Sequence, residues 1–294
     1  MNTAAELIEQ GRCEIVIPSY NRPARLRDTL QGIRGFHPTV PIRVVVQGDP
    51  LDASLLSFIE TDGRIVSLYR SSPGVVAAIN AAAEATDAEI MLILDDDAIP
   101  CPGWLEAHVT GLLSSPEIAY SCGREVNVVN GRSAISELAR IFSELTLGIF
   151  VSRKHRIGGR IIGWTTPFGF VFGNFNLPGR AVINAPMEGN FAIRTADFRD
   201  IGAFDKRFIG NAWGYGPELG YRFARNGRYG VYVGDAIILH YPHPSGGTRA
   251  KRGKKWMQDY VHNNRILIQT IGWLGWLGAA PRFIKRGVQT LLGG

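Results

Sequence analysis

Cysteine is scarce in this chain of 294 residues: Cys13, Cys101 and Cys122 are widely scattered. That spacing excludes a disulfide framework or a cysteine-built zinc site and suits a reducing cytosol. The first residues, Met-Asn-Thr-Ala-Ala-Glu-Leu, lack the basic start and apolar run of a secretory signal. There is no internal repeat. With 45% apolar and 20% charged residues, the composition is that of a folded globular protein. Net positive charge is also lacking, except at one end. From Arg249 onward nine Lys/Arg stand against Asp259 alone, giving +8; with +6 overall, the preceding 248 residues carry −2. A uniformly basic nucleic-acid surface is thereby excluded. A basic loop facing phosphates or a tail facing anionic lipid fits better.

The first half alternates short apolar runs with helical patterns. Strands are expected at Glu14–Ile17, Ile42–Gln47, Ile65–Tyr69 and Glu89–Leu94. Helices are expected at Arg22–Ile33, Ala53–Glu60, Pro73–Thr86 and Trp104–Leu113, with Pro23 and Pro73 near helix starts, where proline is tolerated. This order predicts an α/β fold with a doubly wound, mostly parallel sheet and helices on both faces. Ser121–Phe175 is less periodic and rich in glycine. Beyond it, strands are expected at Glu188–Arg194, Tyr229–Val233 and Ala236–His240, and helices at Thr195–Ile201, Pro217–Asn226, Lys254–Ile271 and Ala280–Leu292. A Gly/Pro/basic loop covers Pro242–Gly253. The division expected is a main domain over 1–248 and a basic loop with a helical extension over 249–294.

The densest chemistry lies at Ile90–Pro100, Ile-Met-Leu-Ile-Leu-Asp-Asp-Asp-Ala-Ile-Pro. Five apolar residues suit a strand buried on both faces, delivering three carboxylates to its carboxyl end. Ligands of open α/β sheets bind at that edge. In an extended chain Asp95 and Asp97 share one side and Asp96 takes the other. Two carboxylates on one side repel unless a cation lies between them, and their hard oxygens suit Mg2+ or Mn2+. A solvated acidic turn fits the triplet alone equally well. Two further segments deliver polar groups. Ile-Val-Ile-Pro-Ser-Tyr-Asn-Arg (15–22) ends a strand with Tyr20 able to stack on a base and Arg22 able to meet phosphate; turn and cap roles are the simpler reading of Ser19 and Asn21. Gly74 through Asn80 opens a helix, whose free N–H groups can face an anion.

This ordered set resembles the inverting family 2 glycosyltransferases of the GT-A fold. Glu-Gly-Asn-Phe-Ala-Ile-Arg (188–194), Ile-Gly-Ala-Phe-Asp (201–205), Leu-Gly-Tyr-Arg (219–222), Gly227 and the strand ending at His240 extend the likeness over roughly residues 13–265. The resemblance implies transfer of a sugar from a nucleotide-diphosphate donor to a glycan or lipid-linked acceptor hydroxyl, with Mn2+ or Mg2+ as cofactor. It implies Asp97, Asp95 and His240 as metal ligands, Asp95 and Asp96 beside the donor, Pro18, Tyr20 and Arg22 along the nucleotide, and Asn80 near the sugar. Arg249 and Lys251, with Arg252, are implied to close over the diphosphate.

Two positions depart from the family pattern. The acid that reads the base aligns with Gln47, with Asp49 two residues on; glutamine both donates and accepts, and the base stays open. The family's Glu-Asp pair, whose aspartate is the base, aligns with Tyr215 and Gly216. Glu218 is the remaining carboxylate on that helix and the expected catalytic base.

The stretch Ile266–Ala280, with Trp273 and Trp276, is shorter than the roughly 20 residues that span a bilayer. An interfacial helix followed by Arg282, Lys285 and Arg286 would suit a lipid-linked acceptor; a core helix or a homodimer contact are alternatives. The expected setting is cytoplasmic, peripheral on the inner membrane face, with no nucleic-acid partner. Two rival readings are a non-catalytic nucleotide-sugar or glycan-binding module and a nucleotidyltransferase. The second would want a glycine-rich, Arg-bearing loop after the first strand, which Pro-Ser-Tyr-Asn does not supply.

Overall fold

The computed structural model describes residues 3–128, 141–149, 151–241 and 253–291. After a short helix α1 (Ala4–Glu9), strands β1 (Cys13–Tyr20), β2 (Ile42–Gln47), β3 (Ile65–Arg70) and β4 (Ile90–Leu94) alternate with helices α2 (Pro23–Phe36), α3 (Ala53–Thr61) and α4 (Val75–Ala85). The four strands are parallel, in the order β4-β1-β2-β3. Their apolar runs are continuous because both faces are covered. Ile15, Ile17, Leu92 and Leu94 join one core and Val16, Met91 and Ile93 the other. Each such side chain taken from water contributes roughly 1.5–3 kcal/mol. Helix α4 begins at Val75, two residues past Pro73, because Gly74 turns the chain at φ 153° as its cap.

The second half inserts itself into the same sheet. After β5 (Ala98–Pro100) and α5 (Trp104–Leu113) come β6 (Ile118–Asn127), β7 (Arg180–Ile183), β8 (Asn190–Arg194) and β9 (Tyr229–His240). Strand β8 runs antiparallel between β4 and β6, and β9 runs parallel to β6. The sheet is thus mixed. Two strands expected at 229–240 are one: a register shift between Val233 and Ile237 absorbs Gly234 and Asp235, which read in the sequence as a break. Beyond the shift, β9 pairs with β5, setting His240 against Ala98. Asn190 Oδ1 at the start of β8 accepts from Trp104 Nε1 (2.7 Å) and lies 2.9 Å from His108 Nε2, while His108 Nδ1 lies 2.7 Å from Ser121 Oγ. Burial holds His108 down to about 4.

Helices α6 (Thr195–Asp200) and α7 (Tyr215–Arg225) cover one face. Helix α8 occupies the expected Lys254–Ile271, and α9 (Trp276–Leu291) starts four residues before the expected Ala280. The first turn of α9 docks backbone to backbone on the loop of a small hairpin, Trp164–Thr165 with Val171–Phe172. Gly278 N donates to Phe168 O at 2.8 Å, and a Cβ on Gly278 would stand 2.3 Å from Gly169. The Arg282 guanidinium stacks 4.8 Å from the Trp213 ring centre. Among the described residues no helix is long and apolar enough to cross a membrane.

Candidate active site

The carboxyl ends of β1, β2 and β4 form one edge. The turn after β4 is fixed by Asp95 N donating to Gly189 O (3.2 Å) and Ala98 N donating to Asp95 O (3.2 Å). The pairing of β9 with β5 then brings His240 Nε2 to 3.1 Å from Asp97 Oδ1. Ligand atoms of Asp95, Asp97 and His240 all lie within 4.8 Å of one another. Two carboxylates and an imidazole fit Mn2+ or Mg2+ in chemistry and spacing. The surroundings are strained electrically. Burial first, then the charge of Asp97, raises Asp95. Burial disfavours a charged His240, but its bonds to Asp97 and Glu125 outweigh this and push it up to about 10.

Asp96 faces away, fully buried, accepting from Ser19 Oγ at 2.7 Å while Thr29 Oγ1 donates to its carbonyl at 3.0 Å. Burial pushes Asp96 up to about 7, against the neighbouring Arg22 charge. Arg22 pairs with both acids, its Nη1 2.8 Å from Asp97 Oδ2 and Nη2 on Asp96.

Beside this cluster, Pro18 is opposite Val45 in the β1–β2 register and Tyr20 is opposite Gln47. Gln47 is buried and its Oε1 accepts from Gly74 N at 2.6 Å. Asn21, at φ 52°, accepts from the backbone N of exposed Asp49 (2.8 Å), tying the two turns together. Asn80 does not join them. Its amide is spent on Phe204, donating to the carbonyl (2.8 Å) and accepting from the N–H (3.1 Å), which makes it a buried clamp between α4 and the chain after α6. Arg249, Lys251 and Arg252 lie outside the described residues.

A cavity of about 360 Å³ adjoins the cluster, lined among others by Asp95, Glu125, Glu188, Trp213, Tyr215 and His240. Glu125 lies 2.5 Å from His240 Nδ1 through its Oε1. Glu188 accepts from Gly216 N at 2.9 Å. Burial, reinforced by Asp95 and opposed by backbone hydrogen bonds, pushes Glu188 up to about 7. The expected base, Glu218, is not among the residues lining this cavity. Glu218 is buried away from the cavity, gripped by Arg222 Nε (2.9 Å) and Thr270 Oγ1 (3.0 Å). It lies in the first turn of α7, but the turn that puts Tyr215 and Pro217 on the cavity points Glu218 toward α8.

Sequence reasoning gave Glu125 and Glu188 no role. Glu125 sits in the stretch that lacks visible periodicity, and only the β6–β9 register sets it beside His240. Glu188 stands at the head of a recognised strand segment, yet its neighbour Gly216 is 28 residues on, which no local pattern reveals.

A mixed, largely parallel sheet with acids and a histidine gathered at its carboxyl edge is the GT-A arrangement of glycosyltransferases. It is similar to the structure of GalNAc-T7 with UDP, GalNAc and Mn2+ (TM-score 0.59, 14% identity, covering 86% of this chain and 47% of that one). It is also similar to the mannosyltransferase PcManGT from Pyrobaculum calidifontis in complex with GDP-Man and Mn2+ (TM-score 0.51, 15% identity, 88% and 62%). The chain belongs to glycosyl transferase family 2, whose family model matches residues 14–172. Curated relatives include the pre-mycofactocin glycosyltransferase of two Mycobacterium tuberculosis strains, CDC 1551 / Oshkosh and ATCC 25618 / H37Rv, each 26% identical over 227 residues. That match covers 77% of this chain and spans 42% of the relatives' length.

Proposed function

We propose that the protein is a metal-dependent, inverting glycosyltransferase that moves a sugar from a nucleoside diphosphate donor to a hydroxyl of a glycan or lipid-linked acceptor. The observation that carries this reading is the Asp95–Asp97–His240 cluster at the carboxyl edge of β4, opening on the cavity. These three residues would hold the cation, with Glu125 orienting the imidazole. When bound, Mn2+ or Mg2+ neutralises charge on the diphosphate leaving group. Arg22 adds a guanidinium beside Asp97. Pro18, Tyr20, Gln47 and Asp49 form the nucleoside end; with its oxygen occupied by Gly74, Gln47 has its amide donor left to offer the base. Arg249 and Lys251 are assigned to the diphosphate from their place in the family pattern.

The tail is assigned to a membrane surface on its cytoplasmic face. Trp273 is 78% exposed, and Trp276 and Leu277 are exposed beside it, ahead of Lys285 and Arg286 in the sequence. Aromatic and basic groups together favour an anionic interface.

Ligands that bind the folded state raise apparent stability. Thermal unfolding with UDP, GDP, CDP, ADP or dTDP, with and without Mn2+, therefore tests the reading. At least one nucleotide should raise the midpoint only when Mn2+ is present, and Asp97→Ala should remove that rise. An unchanged midpoint with every pair would sink the proposal. The binding-module alternative draws support from glycine at position 216; it predicts the same midpoint rise without turnover.

A further inference from the structure

Apart from the exposed Asp49 at the nucleoside end, six carboxylates lie in or next to the candidate site, and five are committed. Asp95 and Asp97 belong to the metal cluster, Asp96 is turned to Ser19 and Arg22, Glu125 holds His240, and Glu218 is locked to Arg222 and Thr270. Glu188 is the sixth. No Lys or Arg pairs with it among the described residues, and it lines the cavity together with Asp95. The β4–β8 register pairs Leu94 with Asn190, so the residues just before β8 stand level with the acidic turn.

The position of its carboxylate has a second meaning. A Cβ added to Gly216 would stand 2.4 Å from Glu188 Oε1 and 2.6 Å from its Cδ. Residues 188 and 216 therefore compete for one volume. A side chain at 216 would occupy the space that the Glu188 carboxylate now fills, and the Gly216 N–H holds that carboxylate there.

We propose that Glu188 is the catalytic base, its carboxylate reaching from the head of β8 into the place where a residue-216 carboxylate would begin. This rests on the transferase reading above. In the step, a Glu188 oxygen takes the proton of the acceptor hydroxyl. The hydroxyl oxygen forms a bond to the anomeric carbon as the bond from that carbon to the phosphate oxygen breaks. The electron pair of the broken bond leaves with the nucleoside diphosphate. Gly216 is the matching requirement, because any side chain there would displace the base.

The test uses the full chain with Mn2+ and a panel of UDP-, GDP- and dTDP-sugars, reading transfer to p-nitrophenyl glycosides and release of nucleoside diphosphate to water. Glu188→Gln should lower turnover about 10²–10⁴-fold, the range of a positioned general base, while the nucleotide–Mn2+ dissociation constant stays within threefold. Glu188→Ala combined with Gly216→Asp should regain at least tenfold over Glu188→Ala, which a purely structural role would not produce. Turnover by Glu188→Gln within threefold of the parent, with Asp97→Ala inactive, would overturn the Glu188 assignment and leave the transferase reading standing. A parent that binds nucleotide with Mn2+ but turns over no donor would overturn both.

Discussion

Glu125 and His240 share a 2.5 Å hydrogen bond between Oε1 and Nδ1, joining neighbouring strands β6 and β9. That bond leaves Nε2 as the ring nitrogen facing Asp97, 3.1 Å away. A carboxylate behind a ligating imidazole fixes its orientation and raises its basicity, and its loss typically weakens metal binding about 10–100-fold. Glu125→Ala should do so here. Calorimetric titration with Mn2+ measures it, and an unchanged affinity would remove His240 from the ligand set.

The grip on Glu218 by Arg222 and Thr270 predicts a structural role for it. Removing one member of a buried ion pair costs about 3–5 kcal/mol. Glu218→Ala should approach the lower figure in urea unfolding, because Arg222 keeps carbonyl partners at Ile201 and Ala203. Turnover per folded molecule should stay within twofold. A fall of a hundredfold would return the base to this helix.

Asn80 predicts a similar separation of folding from binding. Its amide closes two hydrogen bonds with Phe204, both buried. Leaving buried backbone groups unsatisfied costs about 1–3 kcal/mol each. Asn80→Ala should lower the unfolding midpoint and leave the nucleotide dissociation constant unaltered. Weaker nucleotide binding at full stability would contradict the clamp.

His108 gives the fold a dependence on pH. Its pKa is held at about 4 by burial, below the ordinary value of 6.5. Above that ordinary value the histidine is neutral folded or unfolded. As pH falls toward 4, only the unfolded chain takes up the proton. Native stability is then lost by up to about 3 kcal/mol, because each tenfold difference in proton affinity between the two states is worth about 1.4 kcal/mol. Urea unfolding between pH 7 and 4.5 should show the loss, and His108→Gln should flatten it relative to the parent. Parallel curves for the two proteins would refute the assignment.

The parallel half was readable because strands such as Ile90–Leu94 are buried on both faces and leave apolar runs that no helix of that length needs. The acidic turn was readable for the same reason: a polar triplet stands out against such a run. Strand β6 was not. Its residues Arg124, Glu125 and Val126 are half-buried and Asn127 is exposed, so the alternation that marks a strand fades where Glu125 is. The expected break at Gly234–Asp235 is a bulge inside one strand, whose continuity depends on pairing with β6 and β5. Glu188, Gly216 and Glu218 show the limit most plainly. A helix sequence says which residues share a turn, but which of them meets the cavity depends on how α7 is rolled against β8 and α8.

The seam between Gly169 and Gly278 leaves no side chain to cushion it. Backbone rests on backbone, and Arg282 from the same helix lies on Trp213, which lines the cavity. The first turn of α9, the hairpin and that wall of the cavity are therefore in direct contact, with only backbone at the seam. The exposed Trp273–Leu277 face thus stands one such contact away from a wall of the cavity, closer to the site than its place near the end of the sequence suggests.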